Sequence, residues 1–193
     1  MKKTNFFLMT VSAILTFSST MAQKDSSGIY NTASDFQQQK LSYAINYKTE
    51  KHKINDNLLF KDAEIKVKHD GKTYLLNKDN TYGYRSTKGE DFRFVNRKAY
   101  KILNPGESLI IYAYWHPSNS TKGTIHFISD YYFSTDASSI PLALTKGNLK
   151  TAFPTNHKFH DALDTQFRSD EELYVYDDFH KVYKLNRIYD NSK

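Results

Sequence analysis

Two histidines lie three residues apart near the C-terminal end of the sequence, in the segment NHKFHDALDTQF (residues 156–167). On a helix, residues at i, i+3 and i+4 lie on one face, so His157 and His160 could point the same way with Asp161 beside them. Imidazole nitrogens and carboxylate oxygens bind zinc, which needs three or four such ligands. His180 could supply another ligand if its own helix packed nearby. The segment therefore allows a zinc site built from His157, His160, His180 and Asp161, but nothing in the sequence requires zinc or any other cofactor.

The same segment also has the pattern of an ordinary amphipathic helix. At about 100° per residue, its apolar side chains fall on one side, and most of its polar side chains fall on the other. The apolar residues are Phe159, Ala162, Leu163 and Phe167. The spacing also differs from HExxH, in which a glutamate beside the metal acts as general base. We therefore expect the histidines on a solvated helix face, with a metal-binding protein or metal-dependent hydrolase as the alternative.

A second candidate site is aromatic. The segments YGYR (residues 82–85) and FRF (residues 92–94) would place several rings on one face of a sheet, with Arg85 and Arg93 on the opposite face. Such a face is either part of the core or a surface on which a sugar or another flat ligand stacks. The candidate ligand-binding residues are Tyr82, Tyr84, Phe92 and Trp115. We expect core packing, because strands usually bury one face, and keep a carbohydrate-binding module as a second alternative.

Several other chemistries are excluded or unsupported. The sequence contains no cysteine, which rules out thiol nucleophiles, thiolate metal sites, iron–sulfur clusters and CxxC redox motifs. It also has no GxSxG nucleophile elbow, no GxGxxG dinucleotide motif and no P-loop. We therefore expect binding rather than catalysis.

The elements that would position these residues are strands first and helices last. From about residue 41 to residue 134, apolar and polar residues alternate, and turn signals such as Asp70-Gly71 and Pro105-Gly106 recur every eight to twelve residues or so. This pattern predicts an antiparallel meander sheet or a partly closed barrel. Two to three C-terminal helices should follow over about residues 145–190, which defines an α+β fold.

The predicted helices cover residues 145–153, 155–167 and 170–189. Thr145 and Thr155 are suitable N-caps for the first two, and Pro154 separates them. Ser169 and Glu172 have the spacing of a capping box, which predicts the start of the third helix. We expect a single domain over residues 23–193, strand-rich over 28–140 and helical over 141–193.

The N-terminus has the three parts of a secretory signal. Lys2 and Lys3 precede an apolar run, and Thr20-Met21-Ala22 provides the small residues of a cleavage site. The apolar run is shorter than the roughly 20 residues of a stable membrane span. We therefore predict a signal peptide over residues 1–22, cleavage between Ala22 and Gln23, a periplasmic or secreted protein, and no membrane span in the mature chain.

The charge distribution argues against a nucleic-acid partner. The full sequence has 27 basic and 21 acidic residues. Without Lys2 and Lys3, 25 basic residues remain against 21 acidic ones, a formal charge of +4. These charges are spread along the chain, whereas a nucleic-acid binder more often carries a concentrated basic stripe. An envelope protein or a small ligand is the more reasonable partner.

Three long segments resemble a group of uncharacterised small exported bacterial proteins. They are YGYRSTKGEDFRFVNRKAYKILNPGESLIIY, LKTAFPTNHKFHDALDTQF and FHKVYKLNRIY. The resemblance covers most of the mature chain and implies export and a single domain. It implies no activity, substrate or cofactor. The sequence thus leads us to expect a non-catalytic binding or accessory protein of the bacterial cell envelope.

Overall fold

The computed structural model describes residues 26–50, 54–55, 63–118 and 126–193. Within these ranges the chain forms an α+β fold, as predicted, with an eight-stranded antiparallel sheet, two smaller sheets and four α-helices. The predicted signal peptide over residues 1–22 lies outside the described residues. Among the residues that the structure describes, no helix has both the length and the apolar character needed to cross a bilayer.

In chain order the strands are β1 (Ser26–Tyr30), β2 (Ser42–Asn46), β3 (Ile54–Asn55), β4 (Glu64–His69), β5 (Lys72–Asn77), β6 (Gly83–Arg85), β7 (Asp91–Val95), β8 (Lys98–Ile102), β9 (Ile110–Pro117), β10 (Phe127–Ser134), β11 (Leu142–Ala143), β12 (Tyr176–Asp177) and β13 (Val182–Tyr183). The α-helices are α1 (Ala33–Gln37), α2 (Lys146–Ala152), α3 (His157–Gln166) and α4 (Lys184–Asp190).

The main sheet has the strand order β11-β10-β9-β8-β7-β6-β1-β2. Strands β6 to β10 follow one another as the predicted meander, and β11, which lies beyond the predicted strand region, extends the sheet past β10. The sheet also includes an earlier strand, β1, which pairs with β6 and with β2. Because the order ends at β2 and β11, the sheet is open in the part of the chain that the structure describes.

The two faces of this sheet have different coverings. The front face, which carries Tyr84, Phe92, Ile111 and Phe133, is covered at one end by the small sheet β3-β4-β5 and at the other by the C-terminal helices. The back face, which carries Tyr30, Arg93, Tyr112 and Ser134, packs against α1. This assignment follows from the register, because residues paired across neighbouring strands lie on the same face.

The small sheet is built on a tight hairpin. Asp70 and Gly71 have φ angles of 48° and 72°, and both lie in the left-handed region that a two-residue hairpin turn demands. Ile65 and Val67 alternate with exposed residues along β4, and both are 0% exposed. They pack against Ile29 and the aromatic residues of the front face, so this hairpin covers one end of the main sheet.

The C-terminal helices cover the other end of the front face. Phe159 and Leu163 of α3 and Leu185 of α4 are fully buried against Leu109, Ile111 and Phe133. Burying each such side chain stabilises the fold by about 1.5–3 kcal/mol. The predicted helices 145–153 and 155–167 correspond to α2 and α3. Thr145 caps α2 as expected, whereas α3 is capped by Asn156, whose side chain accepts a hydrogen bond from the backbone N–H of Phe159.

The predicted long helix over residues 170–189 is wrong. A short 3-10 turn (Asp170–Glu172) is followed by the β12-β13 hairpin, and only Lys184–Asp190 is helical. The Asp177 carboxylate accepts hydrogen bonds from the backbone N–H groups of Phe179 and His180, and Lys181 has a φ of 56°, so a turn replaces the helix here. Ser169 makes no capping hydrogen bond with its side chain.

Candidate functional site

A cleft of about 480 Å³ opens where the back face of the sheet ends. This volume lies within the range of about 300–1,000 Å³ that is usual for small-molecule sites. Three segments form its walls: the α1 segment, the β8–β9 loop and the β10–β11 connection. Its apolar lining is formed by Phe36, Ile110 and Ala137, and its polar side chains are Gln37, Gln39, Glu107, Ser108, Thr135 and Asp136.

The first wall is a short capped helix. The Thr32 hydroxyl accepts a hydrogen bond from the backbone N–H of Asp35 (3.0 Å), and the Asp35 carboxylate accepts one from the backbone N–H of Thr32 (3.1 Å). This capping box fixes the start of α1. Phe36 is then buried, with its ring 5.5 Å from that of Tyr30 and 5.4 Å from that of Tyr82. The α1 wall is therefore held on the sheet by aromatic packing.

Gln39 connects this wall to a buried polar network. Its side-chain oxygen accepts a hydrogen bond from the Arg85 guanidinium and lies 3.4 Å from the Tyr30 hydroxyl oxygen, and its amide nitrogen donates to the carbonyl oxygen of Phe36 (2.8 Å). Arg85 in turn makes a bidentate ion pair with Asp91, with both N–O distances 2.8 Å. The Tyr30 hydroxyl also donates to Asp91, and burial raises the pKa of Tyr30. The Gln39 amide is thus fixed in its orientation.

The β10–β11 connection forms the second wall and is fixed from two sides. The Asp136 carboxylate accepts hydrogen bonds from the backbone N–H groups of Ser138 (2.6 Å) and Ser139 (2.7 Å). Hydrogen bonds from the Ser139 hydroxyl and backbone hold the pKa of Asp136 below its usual value. From the sheet side, Arg93 donates to the carbonyl oxygens of Ser139 (2.8 Å) and Ser138 (3.2 Å) and to the Tyr112 hydroxyl (3.1 Å).

The third wall is the β8–β9 loop. The Asn104 side chain spans this loop, accepting from the backbone N–H of Ile111 (2.6 Å) and donating to the carbonyl oxygen of Leu109 (2.7 Å) and to the Glu107 carboxylate (3.1 Å). Asn186 of α4 pairs with both backbone polar groups of Leu109, at 2.7 and 2.9 Å. The C-terminal layer therefore supports the loop that carries Glu107.

The two carboxylates that line the cleft have different environments. Burial raises the pKa of Glu107, although hydrogen bonds from Asn104 and from the backbone of Tyr183 oppose this effect. Asp136 is already saturated with donors from its own loop. Carboxyl groups with pKa values shifted apart can serve as an acid–base pair. Asp136 accepts hydrogen bonds at both carboxylate oxygens from Ser138 and Ser139 of its own loop, which argues for a structural role. Glu107 accepts fewer hydrogen bonds and is the carboxylate with more acceptor capacity left for a ligand.

The charge of the lining selects among ligands. The cleft residues that the structure describes include two carboxylates, several amides and hydroxyls, and no lysine or arginine. A positively charged group in this cleft would gain an attractive interaction with Glu107, whereas an anion would be repelled. The arrangement is suited to a small ligand that carries an amine or many hydrogen-bond donors.

The predicted histidine site is only partly assembled. The rings of His157 and His160 lie 5.8 Å apart, and the Nε2 atom of His160 lies 2.9 Å from the carbonyl oxygen of Phe153. His180 lies on the β12-β13 turn, where its Nδ1 atom is 2.7 Å from the Asp177 carboxylate. Across the described ranges, no group of three or more histidine, aspartate and glutamate side chains is arranged to hold a metal ion. The predicted ligands His157, His160, Asp161 and His180 all lie within these ranges.

The predicted aromatic site divides between the core and the surface. Tyr84 and Phe92 are stacked at 4.8 Å under the small sheet and are only 5% and 9% exposed. They belong to the core, as we expected for this face. Tyr82 packs instead on the back face, where Arg93 lies 5.1 Å from the centre of its ring. Trp115 is 57% exposed on the front face.

The sequence identified the turns that form the cleft but not the cleft itself. The Asn104-Pro105-Gly106-Glu107 segment was recognisable as a turn, and in the folded protein it meets the α1 segment across the cleft. Their meeting depends on β1 pairing with β6 across more than 50 residues of sequence, and no local pattern encodes that pairing.

Comparison with known protein families, curated proteins and solved structures gives no match. We therefore infer a function from the α+β fold and from the geometry and charge of the cleft.

Proposed function

We propose that this chain is a non-catalytic, exported binding protein of the bacterial cell envelope, and that its cleft holds a small ligand bearing a primary amine. The observation that carries this proposal is a cleft of about 480 Å³, lined by Glu107 and Asp136 and by no lysine or arginine among its described residues. Its walls are fixed by hydrogen bonds before any ligand arrives, which reduces the entropy lost on binding.

Glu107 is the residue best placed to bind the amine. Because burial raises the pKa of Glu107, its ionised carboxylate is less stable in the ligand-free cleft than a carboxylate in water. An ammonium group beside Glu107 would favour the ionised form of the carboxylate. Ser108 is less available, because its hydroxyl already donates to Asp190 (2.7 Å) and accepts from Lys193 (2.9 Å).

The polar side chains that line the cleft favour a binding role over a catalytic one. Nucleophilic catalysis needs a hydroxyl or thiol next to a general base that is itself oriented by a third group. The described lining of the cleft contains no histidine or lysine. Its two carboxylates also differ in availability, since Asp136 is committed to its loop. Export is supported by the signal pattern over residues 1–22 and by the absence of cysteine from the sequence.

Calorimetric titration of the mature protein, residues 23–193, tests the proposal with spermidine and putrescine as probes. Mannitol serves as a neutral polyol control and citrate as an anionic control. The titrations should be run at about 0.15 M salt, where weak attraction to surface charges is largely screened. We expect saturable binding of at least one amine and no binding of citrate.

Two matched variants locate the site. Glu107→Gln keeps the shape of the side chain but removes its charge, and we expect amine affinity to fall at least about tenfold, equivalent to about 1.4 kcal/mol. Glu64→Gln removes an exposed carboxylate from β4, on the other side of the molecule's core, and should leave the affinity unchanged. Equal amine affinity in the wild type and in Glu107→Gln, or no amine binding at all, would reject the proposal.

A further inference from the structure

Trp115 presents an exposed indole on the front face of the sheet, away from the cleft. It lies on β9 opposite Ser129 of β10, beyond the part of the face that the small sheet and the C-terminal helices bury. Its 57% exposure is unusual for so large an apolar side chain, because aromatic side chains normally contribute to a core or an interface. It is also the one tryptophan of the sequence. Such a ring is a candidate binding element in its own right.

The surroundings of this ring are flat and partly charged. A shallow groove of about 20 Å³ beside it is lined by Ala99, Ala113 and Lys101. The Lys101 ammonium lies 6.0 Å from the centre of the indole ring and 2.8 Å from the Glu90 carboxylate. The Lys101 ammonium lies over one face of the indole, and its ion pair with Glu90 places a hydrogen-bond donor and an acceptor beside the ring.

A second exposed ring lies on the same face. Phe127 pairs with Pro117 across β9 and β10, and Trp115 precedes Pro117 by two residues. Side chains two residues apart on a strand point to the same face, so Trp115 and Phe127 are diagonal neighbours on this face, with Cα atoms about 7–8 Å apart. Phe127 is 56% exposed. An extended ligand could therefore contact one ring after the other.

We propose that this Trp115 strip, formed by Trp115, Phe127, Lys101 and Glu90, binds a neutral oligosaccharide. The C–H faces of pyranose rings are apolar and would stack on the two aromatic rings, while their hydroxyl groups would exchange hydrogen bonds with Lys101 and Glu90. Because Lys101 and Glu90 neutralise each other, the strip gives no electrostatic preference for a charged sugar. This site is independent of the amine-binding cleft, which opens on the back face.

The size of the strip favours a saccharide over a second protein chain. Two aromatic side chains bury about 300–500 Å² at most. A stable protein–protein interface buries about 1,200 Å² or more. A linear saccharide needs only a narrow strip with polar groups at its edge, which is the arrangement found here.

Tryptophan fluorescence reports directly on this site, because every photon of indole emission comes from Trp115. The mature protein is titrated with the hexasaccharides of β-1,4-linked glucose and β-1,4-linked N-acetylglucosamine, with mannitol as a control. We expect a saturable shift of the emission to shorter wavelength with at least one hexasaccharide and none with mannitol. Absence of any saturable change with both hexasaccharides would overturn the proposal.

Calorimetry on three variants then separates the strip from other surfaces. Trp115→Ala and Lys101→Met should each weaken hexasaccharide binding at least about tenfold, since one truncates the platform and the other removes the donor. Phe179→Ala truncates an aromatic residue that is 89% exposed at the β12-β13 turn and should have no effect. Circular dichroism should give the same melting temperature for Trp115→Ala and the wild type.

Two results would count against a saccharide site even if the emission changed. One is unchanged hexasaccharide affinity in Trp115→Ala. The other is a concentration-dependent dimer of the wild type, seen by sedimentation, that is lost in Trp115→Ala, because a second copy would then occupy the strip. Glu107→Gln should bind hexasaccharide like the wild type, so failure of the cleft proposal and failure of this one are distinguishable.

Discussion

The cleft and the Trp115 strip use the same strand but lie on opposite faces of the sheet. Ile110, near the start of β9, lines the cleft on the back face, and Trp115 lies five residues later on the front face. Five residues correspond to about 17 Å along a strand. An odd separation reverses the side-chain direction, so one strand can contribute to two binding surfaces without the two sharing a residue.

The two regions differ in what holds them in place. Two walls of the cleft are loops whose backbone groups are satisfied by buried side chains: Arg93, Asn104 and Asn186. The strip is a pair of rings on regular strands, and its position follows from the strand register alone. Changes to supporting residues should therefore alter the cleft and spare the strip, whereas changes to the strip should alter binding without altering stability.

The largest effect in this comparison should come from Arg93→Met. Arg93 is 6% exposed, and its guanidinium holds the β10–β11 wall through two carbonyl oxygens. Methionine keeps much of the apolar stem but leaves those carbonyls without their donors, which should lower the free energy of unfolding by about 2 kcal/mol. Urea denaturation followed by circular dichroism measures the loss, and the Trp115 emission of the folded variant should match that of the wild type.

Arg97→Met is the matched control for this substitution. The Arg97 side chain is 50% exposed and pairs with the exposed Asp79, and an exposed ion pair contributes little to stability. We expect a change below about 0.5 kcal/mol. If Arg93→Met were as stable as Arg97→Met, the anchoring role assigned to Arg93 would be refuted.

A smaller effect should follow from Asp136→Ala, which removes the acceptor inside the same wall. Loss of the hydrogen bonds from Ser138 and Ser139 in this exposed loop should lower the free energy of unfolding by about 1 kcal/mol. Because the folded pKa of Asp136 lies below its ordinary value of 3.8, the stabilisation is present above that value and is lost as the pH falls through the folded pKa. Urea denaturation from neutral to acid pH should show the wild type and Asp136→Ala converging, and a constant gap would contradict this.

Local patterns predicted much of the architecture. Alternation and turn residues were sufficient for the meander β6–β10, though not for the short strand β11, and the Asp70-Gly71 hairpin has the geometry that its sequence requires. The Thr145 cap and the apolar spacing were sufficient for α2, and the apolar spacing also predicted α3, whose cap is Asn156 and not Thr155. In each case the information lies within about a dozen residues, which is the range over which sequence patterns operate.

The features that sequence reasoning missed depend on contacts between distant residues. The segment 170–189 has a helical charge pattern, yet Asp177 binds the backbone of a turn and Tyr176 pairs with Tyr183. Similarly, nothing in the sequence around Asn186 indicates that its side chain is fully buried. It is hydrogen-bonded to the backbone of Leu109, which lies 77 positions earlier in the chain. The cleft itself needs the α1 segment and two loops to meet, and only the assembled sheet brings them together.

The smallest effect, and the sharpest test of the cleft's electrostatics, concerns Glu107→Gln. The folded pKa of Glu107 is raised above its ordinary value of 4.5, mainly by burial. The protonated form is thus favoured in the folded state. The stability that the protonated Glu107 carboxyl contributes is fully present below its ordinary pKa of 4.5. This contribution is lost as the pH rises through the folded pKa. Glutamine cannot ionise, so the variant should be more stable than the wild type at neutral pH, by roughly 0.5 kcal/mol after solvent screening.

Urea denaturation of both proteins at several pH values between about 4 and 7 measures this difference. We expect the stability advantage of Glu107→Gln to grow across that range and then level off. Trp115→Ala should follow the wild type, because the strip shares no support with the cleft. A pH-independent gap for Glu107→Gln would mean that the carboxylate is solvated like one on the surface, and the electrostatic argument for an amine in the cleft would lose its basis.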